Sequence, residues 1–410
     1  MKKCSNFLAV FMVATLLVMP LFSMSVAAKS SLTTEYLNDD LLTDIGGVSA
    51  SATVSTALEI KAKSVVLMEP HTSKVLYETN PNERLAPASI TKIMSLLLVM
   101  EAIENEKLTL TTKVSCSEHA ASMGGSQIWL EVGEQMTVDE LLRASVIASA
   151  NDATVALAEA VSGSEEAFVE LMNKKAKELG MKNTTFKNSC GLDEEGHLTT
   201  GKDVAIMASA LIKHSLIKKY STVWMDALRD GKSELTNTNK LVRYYNGATG
   251  LKTGTTSKAG CCVAATAERD GMELVAVVMG ADNSNERFTG AKKLLDYGFA
   301  NWSFISLTPD LKNLTSVSVS KGMEKQISVD VGTNQVSLLL PKGKQDEIVQ
   351  SIELKENIEA PIFTGDKIGS VKFTLDGKQI GELPLCSANT VERVTFLNAF
   401  ELIFTSAVTP

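Results

Sequence analysis

Residues 87–94 read PASITKIM and open an apolar run that continues SLLLVM to Met100. On a helix, residues three apart share a face, so Ser89 and Lys92 stand together at the mouth of a segment otherwise composed for burial. Ordinary structural chemistry accounts for both. Ser89 can cap the helix with its hydroxyl, Pro87 ends the extended segment before it, and Lys92 can run its alkyl chain out to water. Catalytic chemistry also accounts for both, with Ser89 as a nucleophile and Lys92 as the base that activates it. Spacing alone does not decide, because Ser215 with Lys218 and Ser318 with Lys321 repeat it.

Working outward, SVVLME at 64–69 and KVLYE at 74–78 alternate as strands around Pro70-His71-Thr72-Ser73, a hairpin. Val138 to Ser162 carries a helical period interrupted by small polar residues at Ser149-Ala150-Asn151-Asp152. Glu165 to Leu179 reads as an amphipathic helix closed by Gly180, and Asp203 to Leu216 as another entered through Thr199-Thr200. Gly254 to Thr266 and Met272 to Met279 have strand character around an Asp270-Gly271 turn, and Lys292 to Phe299 resumes as a helix. Strands at both ends with helices between them imply an α/β domain, one sheet sandwiched by helices.

Beyond Pro309 the pattern changes to short alternating segments at 315–319, 326–331, 336–340, 348–354, 372–375 and 378–383, with Asp376-Gly377 as a hairpin turn. This reads as a small all-β domain without convergent chemistry. Val391 to Phe404 places Val391, Val394, Leu397, Phe400 and Phe404 on one face if helical. Fourteen residues are too few to span a bilayer but enough to lie in its interface. Packing onto the β domain is the alternative.

At the other end, Met1-Lys2-Lys3, the apolar Phe7 to Phe22 and the small residues Ser25-Val26-Ala27-Ala28 make a secretory signal peptide. The expected organisation is a signal at 1–28, a flexible leader at 29–58, an α/β domain at 59–308, a β-rich domain at 309–388 and a tail helix at 389–410. A net charge of -8 over 410 residues, without a basic block, argues against nucleic acid. The five cysteines after the signal, Cys116, Cys190, Cys261, Cys262 and Cys386, have no framework spacing. The four histidines have no ligand spacing, so neither metal nor organic cofactor is expected.

Two further elements bear on Ser89. Ser149-Ala150-Asn151 sits where the helical period breaks, and Lys252-Thr253-Gly254 opens a strand-like run. Ser-x-x-Lys, Ser-x-Asn and Lys-Thr-Gly, in this order and at these intervals, form the signature of penicillin-recognising serine acyl-transferases. The chain resembles the low-molecular-mass penicillin-binding proteins, specifically the serine D-alanyl-D-alanine carboxypeptidases, from about Ala62 to Val394. Its stretches GSQIWLEVGEQMTVDELL (125–142), NSCGLDEEGHLTTGKD (188–203) and LVAVVMGADNSNERFTGAKKLLDYGF (274–299) carry the resemblance as well.

The resemblance implies removal of the terminal D-alanine from peptidoglycan pentapeptide stems through an acyl-serine, with β-lactams as trapped mimics. It also implies export, either to the outer face of the membrane with a tail helix on that surface or into the cell wall space. Ser89 would be the nucleophile and Lys92 its base, with the amine made neutral by burial and by Lys252 nearby. Ser149 would relay the proton and Asn151 would hold the substrate amide. Backbone N–H groups of Ser89 and Thr255 would form the oxyanion hole. Lys252, Thr253 and Gly254 would line the substrate site, and Arg287 would grip the terminal carboxylate.

Two alternatives compete. A class A β-lactamase shares the three motifs but deacylates through a Glu, and TTFKNSCGL at 184–192 offers none. A non-catalytic wall protein would be expected to lack Ser89, Lys92 or Lys252, and all are present. GHLTTGK at 196–202 mimics a phosphate loop but is followed by Asp203, without the hydroxyl that would meet magnesium.

Overall fold

The computed structural model describes residues 35–36, 58–331, 336–400 and 404; the expected signal peptide and most of the leader lie outside them. The α/β part is built from β1 (Ser64–Glu69), β2 (Lys74–Thr79), α1 (Lys92–Glu104), α2 (Val138–Arg143), α3 (Asn151–Ser162), α4 (Glu165–Glu178), α5 (Gly201–Ile212), β3 (Ala248–Thr256), β4 (Gly260–Arg269), β5 (Met272–Ala281) and α6 (Ser284–Asn301).

All ten residues of β5, MELVAVVMGA, are buried, which requires cover on both faces of the strand. The antiparallel sheet runs β2-β1-β5-β4-β3, placing β5 at its centre and β3 at an edge. Val66, Met68, Val275, Val277 and Met279 join the apolar cluster of α1, α3 and α5. Their neighbours Val65, Leu67, Leu274, Ala276 and Val278 meet Leu294, Leu295 and Phe299 of α6. Each of these Val, Leu, Met and Phe side chains contributes about 1.5–3 kcal/mol on burial. A one-residue slip would exchange the two faces and mismatch both layers, so the register is fixed.

Local chemistry sets the ends. Asp270 and Gly271 have φ of 51° and 75°, the two left-handed positions of a tight hairpin between β4 and β5. Thr137 and Glu140 form a capping box on α2, and Thr200 caps α5 by accepting from the Asp203 N–H at 3.1 Å.

The β-rich part comprises β6 (Trp302–Leu307), β7 (Ser316–Ser318), β8 (Gln326–Asp330), β9 (Val336–Pro341), β10 (Val349–Leu354), β11 (Lys367–Leu375) and β12 (Lys378–Ser387). One sheet runs β7-β8-β12-β11-β10; in another, β9 lies between β6 and the short strand Glu35–Tyr36. Leu338, Val371, Phe373, Leu383 and Leu385 form a core of their own. Asp376-Gly377 makes the expected hairpin turn between β11 and β12.

Three expectations need correction. Gly254 to Thr266 is two strands, because the Thr256 hydroxyl accepts from the Ala259 N–H and Gly260 takes φ 67°, so Lys252-Thr253-Gly254 lies inside β3. The helix expected at Lys292 begins at Ser284, since Asn283 caps it by accepting from the Glu286 N–H at 3.0 Å. The tail turns helical only at residue 396, because Val391 is held in a bridge to Ile362 and is buried in the β core.

Candidate active site

Ser89 lies in a single turn of 3-10 helix, Ala88–Thr91, that runs straight into α1. Lys92 follows on the same face and is fully buried. Its Nζ lies 2.9 Å from Ser89 Oγ, 2.6 Å from Asn151 Oδ1 and 2.7 Å from the Cys190 carbonyl oxygen, so every ammonium proton has an acceptor. Burial lowers the amine to about 8, against the opposing pull of Cys190 and Asp152. The neutral form, which can take the hydroxyl proton of Ser89, is therefore within reach near neutral pH.

Lys252 on β3 is also fully buried, and its amine is held far below the ordinary range by burial, then by the charges of Lys92 and Arg287. Its Nζ donates at 3.1 Å to the Thr253 carbonyl. The charges of Lys92, Lys252 and Arg287 thus act on one another, and Asp152 is the carboxylate that acts on Lys92.

The strand is seated directly on the Ser89 turn. A Cβ on Gly254 would stand 2.9 Å from Ser89 N and 3.0 Å from both Ile90 N and the Pro87 carbonyl oxygen, so only glycine permits this approach. On the other side, Gly191 has φ 92°, and a Cβ there would stand 1.9 Å from the Ala88 carbonyl oxygen. These two glycines clamp the turn between β3 and the segment that carries the Cys190 carbonyl.

Ser149 ends a π-helical stretch, Ala144–Ala148, in the left-handed conformation, which is the break expected from the sequence. It is buried, and among the described residues its hydroxyl has no hydrogen-bond partner. Asn151 opens α3, donates from its backbone to the Ser126 carbonyl at 2.7 Å and from Nδ2 to the Gly124 carbonyl at 2.6 Å, and so presents Oδ1 to Lys92.

Arg287 is buried in the first turn of α6. Its Nη1 donates to Thr255 Oγ1 at 2.8 Å, the Gly254 carbonyl at 3.2 Å and the Cys262 carbonyl at 3.4 Å. Thr253 Oγ1 instead bonds Thr238 Oγ1 at 2.7 Å. Ser89, Lys92 and Asn151 thus form one bonded group, Thr255 and Arg287 a second at the end of β3, and Lys252 lies between them in sequence on that strand.

The Cys190 carbonyl, Gly191, Gly124, Ser126 and Thr238 were not singled out from the sequence. Main-chain carbonyls leave no side-chain signature, although Gly191 lies within a stretch that carried the family resemblance. Among the described residues no group of three His, Cys, Asp or Glu side chains is placed to hold a metal ion. The phosphate-loop mimic is spent on structure, with Thr199 bridging Leu85 and Thr200 capping α5.

Comparison with known proteins gives a consistent result. A family model described as D-alanyl-D-alanine carboxypeptidase matches residues 50–283, and one described as penicillin-binding protein 5, C-terminal domain, matches 306–393. D-alanyl-D-alanine carboxypeptidase DacF of Bacillus subtilis is 46% identical over 347 residues, 84% of this chain and 89% of the relative. The crystal structure of penicillin binding protein 5 from Haemophilus influenzae is 33% identical with a TM-score of 0.64, covering 82% of this chain and 98% of that one. Penicillin-binding protein D2 from Listeria monocytogenes, solved in its ampicillin-bound form, is 31% identical with a TM-score of 0.54, covering 59% of this chain and 99% of that one.

Proposed function

The chain belongs to the D-alanyl-D-alanine carboxypeptidase family, and we propose that Ser89 is the nucleophile with which it removes the terminal D-alanine from peptidoglycan pentapeptide stems. The observation that carries this assignment is the 2.9 Å contact of Ser89 Oγ with a fully buried lysine amine whose other partners are fixed.

In this reading neutral Lys92 takes the Ser89 proton as Oγ attacks the carbonyl carbon of the penultimate D-alanine. The tetrahedral oxyanion is held by the backbone N–H groups of Ser89 and Thr255. Ser149 relays that proton from Lys92 to the amine of the departing D-alanine as the C–N bond breaks, and Asn151 orients both Lys92 and the substrate amide. Water then cleaves the acyl-serine, releasing the shortened stem and restoring Ser89 and Lys92. Lys252, Thr253 and Arg287 receive the terminal carboxylate, with Gly254 letting β3 lie against Ser89. No metal or organic cofactor enters this chemistry. β-Lactams acylate the same serine.

The stretch TTFKNSCGL at 184–192 offers the β-lactamase alternative no deacylating Glu. The Cys190 carbonyl, from the stretch where that Glu would be sought, occupies Lys92, and a carbonyl cannot activate water as a base. Assay of D-alanine release from a D-alanyl-D-alanine peptide tests the assignment. Arg287→Gln is expected to raise KM about tenfold to a hundredfold with a smaller change in kcat, by loss of a charged hydrogen bond to the carboxylate. An unchanged KM would remove Arg287 from the site.

We further assign residues 59–308 to the catalytic domain, 309–388 to the β-rich domain and 389–410 to the tail, with export directed by residues 1–28 after which 29–58 form a leader. Phe396, Leu397, Phe400 and Phe404 are exposed, which supports peripheral attachment of the tail to the outer face of the membrane. No helix among the described residues is long and apolar enough to cross one. The mature protein should co-float with phosphatidylglycerol vesicles, and Phe396→Ser/Phe400→Ser should reduce the bound fraction severalfold. Equal flotation of both proteins would refute the attachment.

A further inference from the structure

The loop that feeds Asn151 also displays a tryptophan. Ile128 and Leu130 are buried, while Trp129 between them is 75% exposed at φ 59°, a conformation uncommon for a bulky residue. The backbone around it is gripped from two sides. The buried Asp152 carboxylate accepts the N–H groups of Ile128, at 3.2 and 3.1 Å, and of Leu130 at 3.0 Å. Arg229 donates to the carbonyls of Ile128 at 2.8 Å and Trp129 at 3.3 Å. Glu134 fixes that guanidinium in turn, through Nε at 2.8 Å and Nη2 at 3.0 Å.

Nothing in ordinary packing requires a large indole to be held out to solvent on an immobilised backbone. Such a ring offers a large contact area at little cost in ordering, since its support is already fixed. Its mounting is continuous with the catalytic group. Asp152 and Asn151 are adjacent at the start of α3, Asn151 is bonded to Gly124 and Ser126 of the same loop, and its Oδ1 meets Lys92. The loop therefore joins the site through Asn151, whereas Arg287 joins it through the end of β3.

We propose that Trp129 is a specificity-determining platform for the acyl donor, on which the stem-peptide residues amino-terminal to the D-alanyl-D-alanine unit pack. This rests on the carboxypeptidase reading above. With the terminal carboxylate at Arg287 and the scissile carbonyl at Ser89, a pentapeptide has three more residues to place, each spanning up to about 3.3–3.6 Å. Beyond Ser89 the bonded chain of groups runs through Lys92 to Asn151 and on to its loop, on the side not taken by Arg287.

The test compares wild type, Trp129→Ala and Trp129→Phe on three substrates: acetyl-D-alanyl-D-alanine, which lacks those residues, the free pentapeptide stem, and the same stem carried on its disaccharide. For Trp129→Ala, kcat/KM should fall roughly tenfold on both stem substrates, stay within twofold on the short peptide, and recover substantially in Trp129→Phe. Acylation by benzylpenicillin should match wild type. Loss confined to the disaccharide substrate would make the ring a sugar platform and overturn the proposal. Equal loss on all three, or none, would also overturn it, the former pointing to a structural role. Wild type inactive on every substrate would instead overturn the underlying carboxypeptidase assignment.

Discussion

Ser89→Ala should lower D-alanine release by about 10^4-fold or more, the scale of losing a covalent nucleophile whose binding site survives. The substitution removes one oxygen from a partly exposed position, leaving Lys92 its contacts with Asn151 and Cys190, so the fold should be unaffected. Intact-mass spectrometry with benzylpenicillin supplies the matching readout. Wild type should gain a single adduct that lasts for many minutes, and the variant none. An adduct retained by Ser89→Ala would place the nucleophile elsewhere, and one that disappears within seconds would indicate a β-lactamase.

The second large effect is expected at Lys92. Only the neutral amine can accept a proton, and burial lowers its titration to about 8. Acylation should accordingly slow about tenfold per unit as pH falls below that value and level off above it. Lys92→Arg keeps the charge but a guanidinium is not deprotonated in proteins, so it can never become neutral in this range. The loss should be about 10^3-fold or more at pH 7, without the wild-type acidic limb. A rate independent of pH between 6 and 9 in wild type would exclude Lys92 as the base. From this group alone, the folded chain binds fewer protons than the unfolded one between about 8 and the ordinary lysine value of 10.5. The full cost of burying the amine is felt below about 8, and stability should rise as pH climbs from there to 10.5.

Much of this was legible because the informative residues are constrained in more than one way. The sheet was readable where both faces are apolar, as in β5, and the Asp-Gly turns announced themselves through the left-handed positions they fill. Ser149 stood out because it breaks a helical period, and the break is a real left-handed residue that ends one helix before the next begins. The start of α6 was misjudged because its first turn, SNER, is polar; the Asn283 and Glu286 pair was the available signal. Fine structure of the site was hidden for another reason. Cys190 contributes a carbonyl, and Gly191 contributes the absence of a side chain, and neither property is visible until distant segments are placed together.

The edge position of β3 has a consequence for solubility. An open strand edge is a template on which other chains can polymerise, so a protein that needs one for chemistry must keep it short. Here the Ser221 hydroxyl takes the Thr249 carbonyl at 2.6 Å and Asn239 Nδ2 takes that of Gly250 at 2.7 Å. Thr253 is buried and tied to Thr238, while Thr256 is tied to Asp193. What stays open to another strand centres on Thr255, too little for a foreign chain to zip along, so the edge is shielded from self-association by the same side chains that shape it.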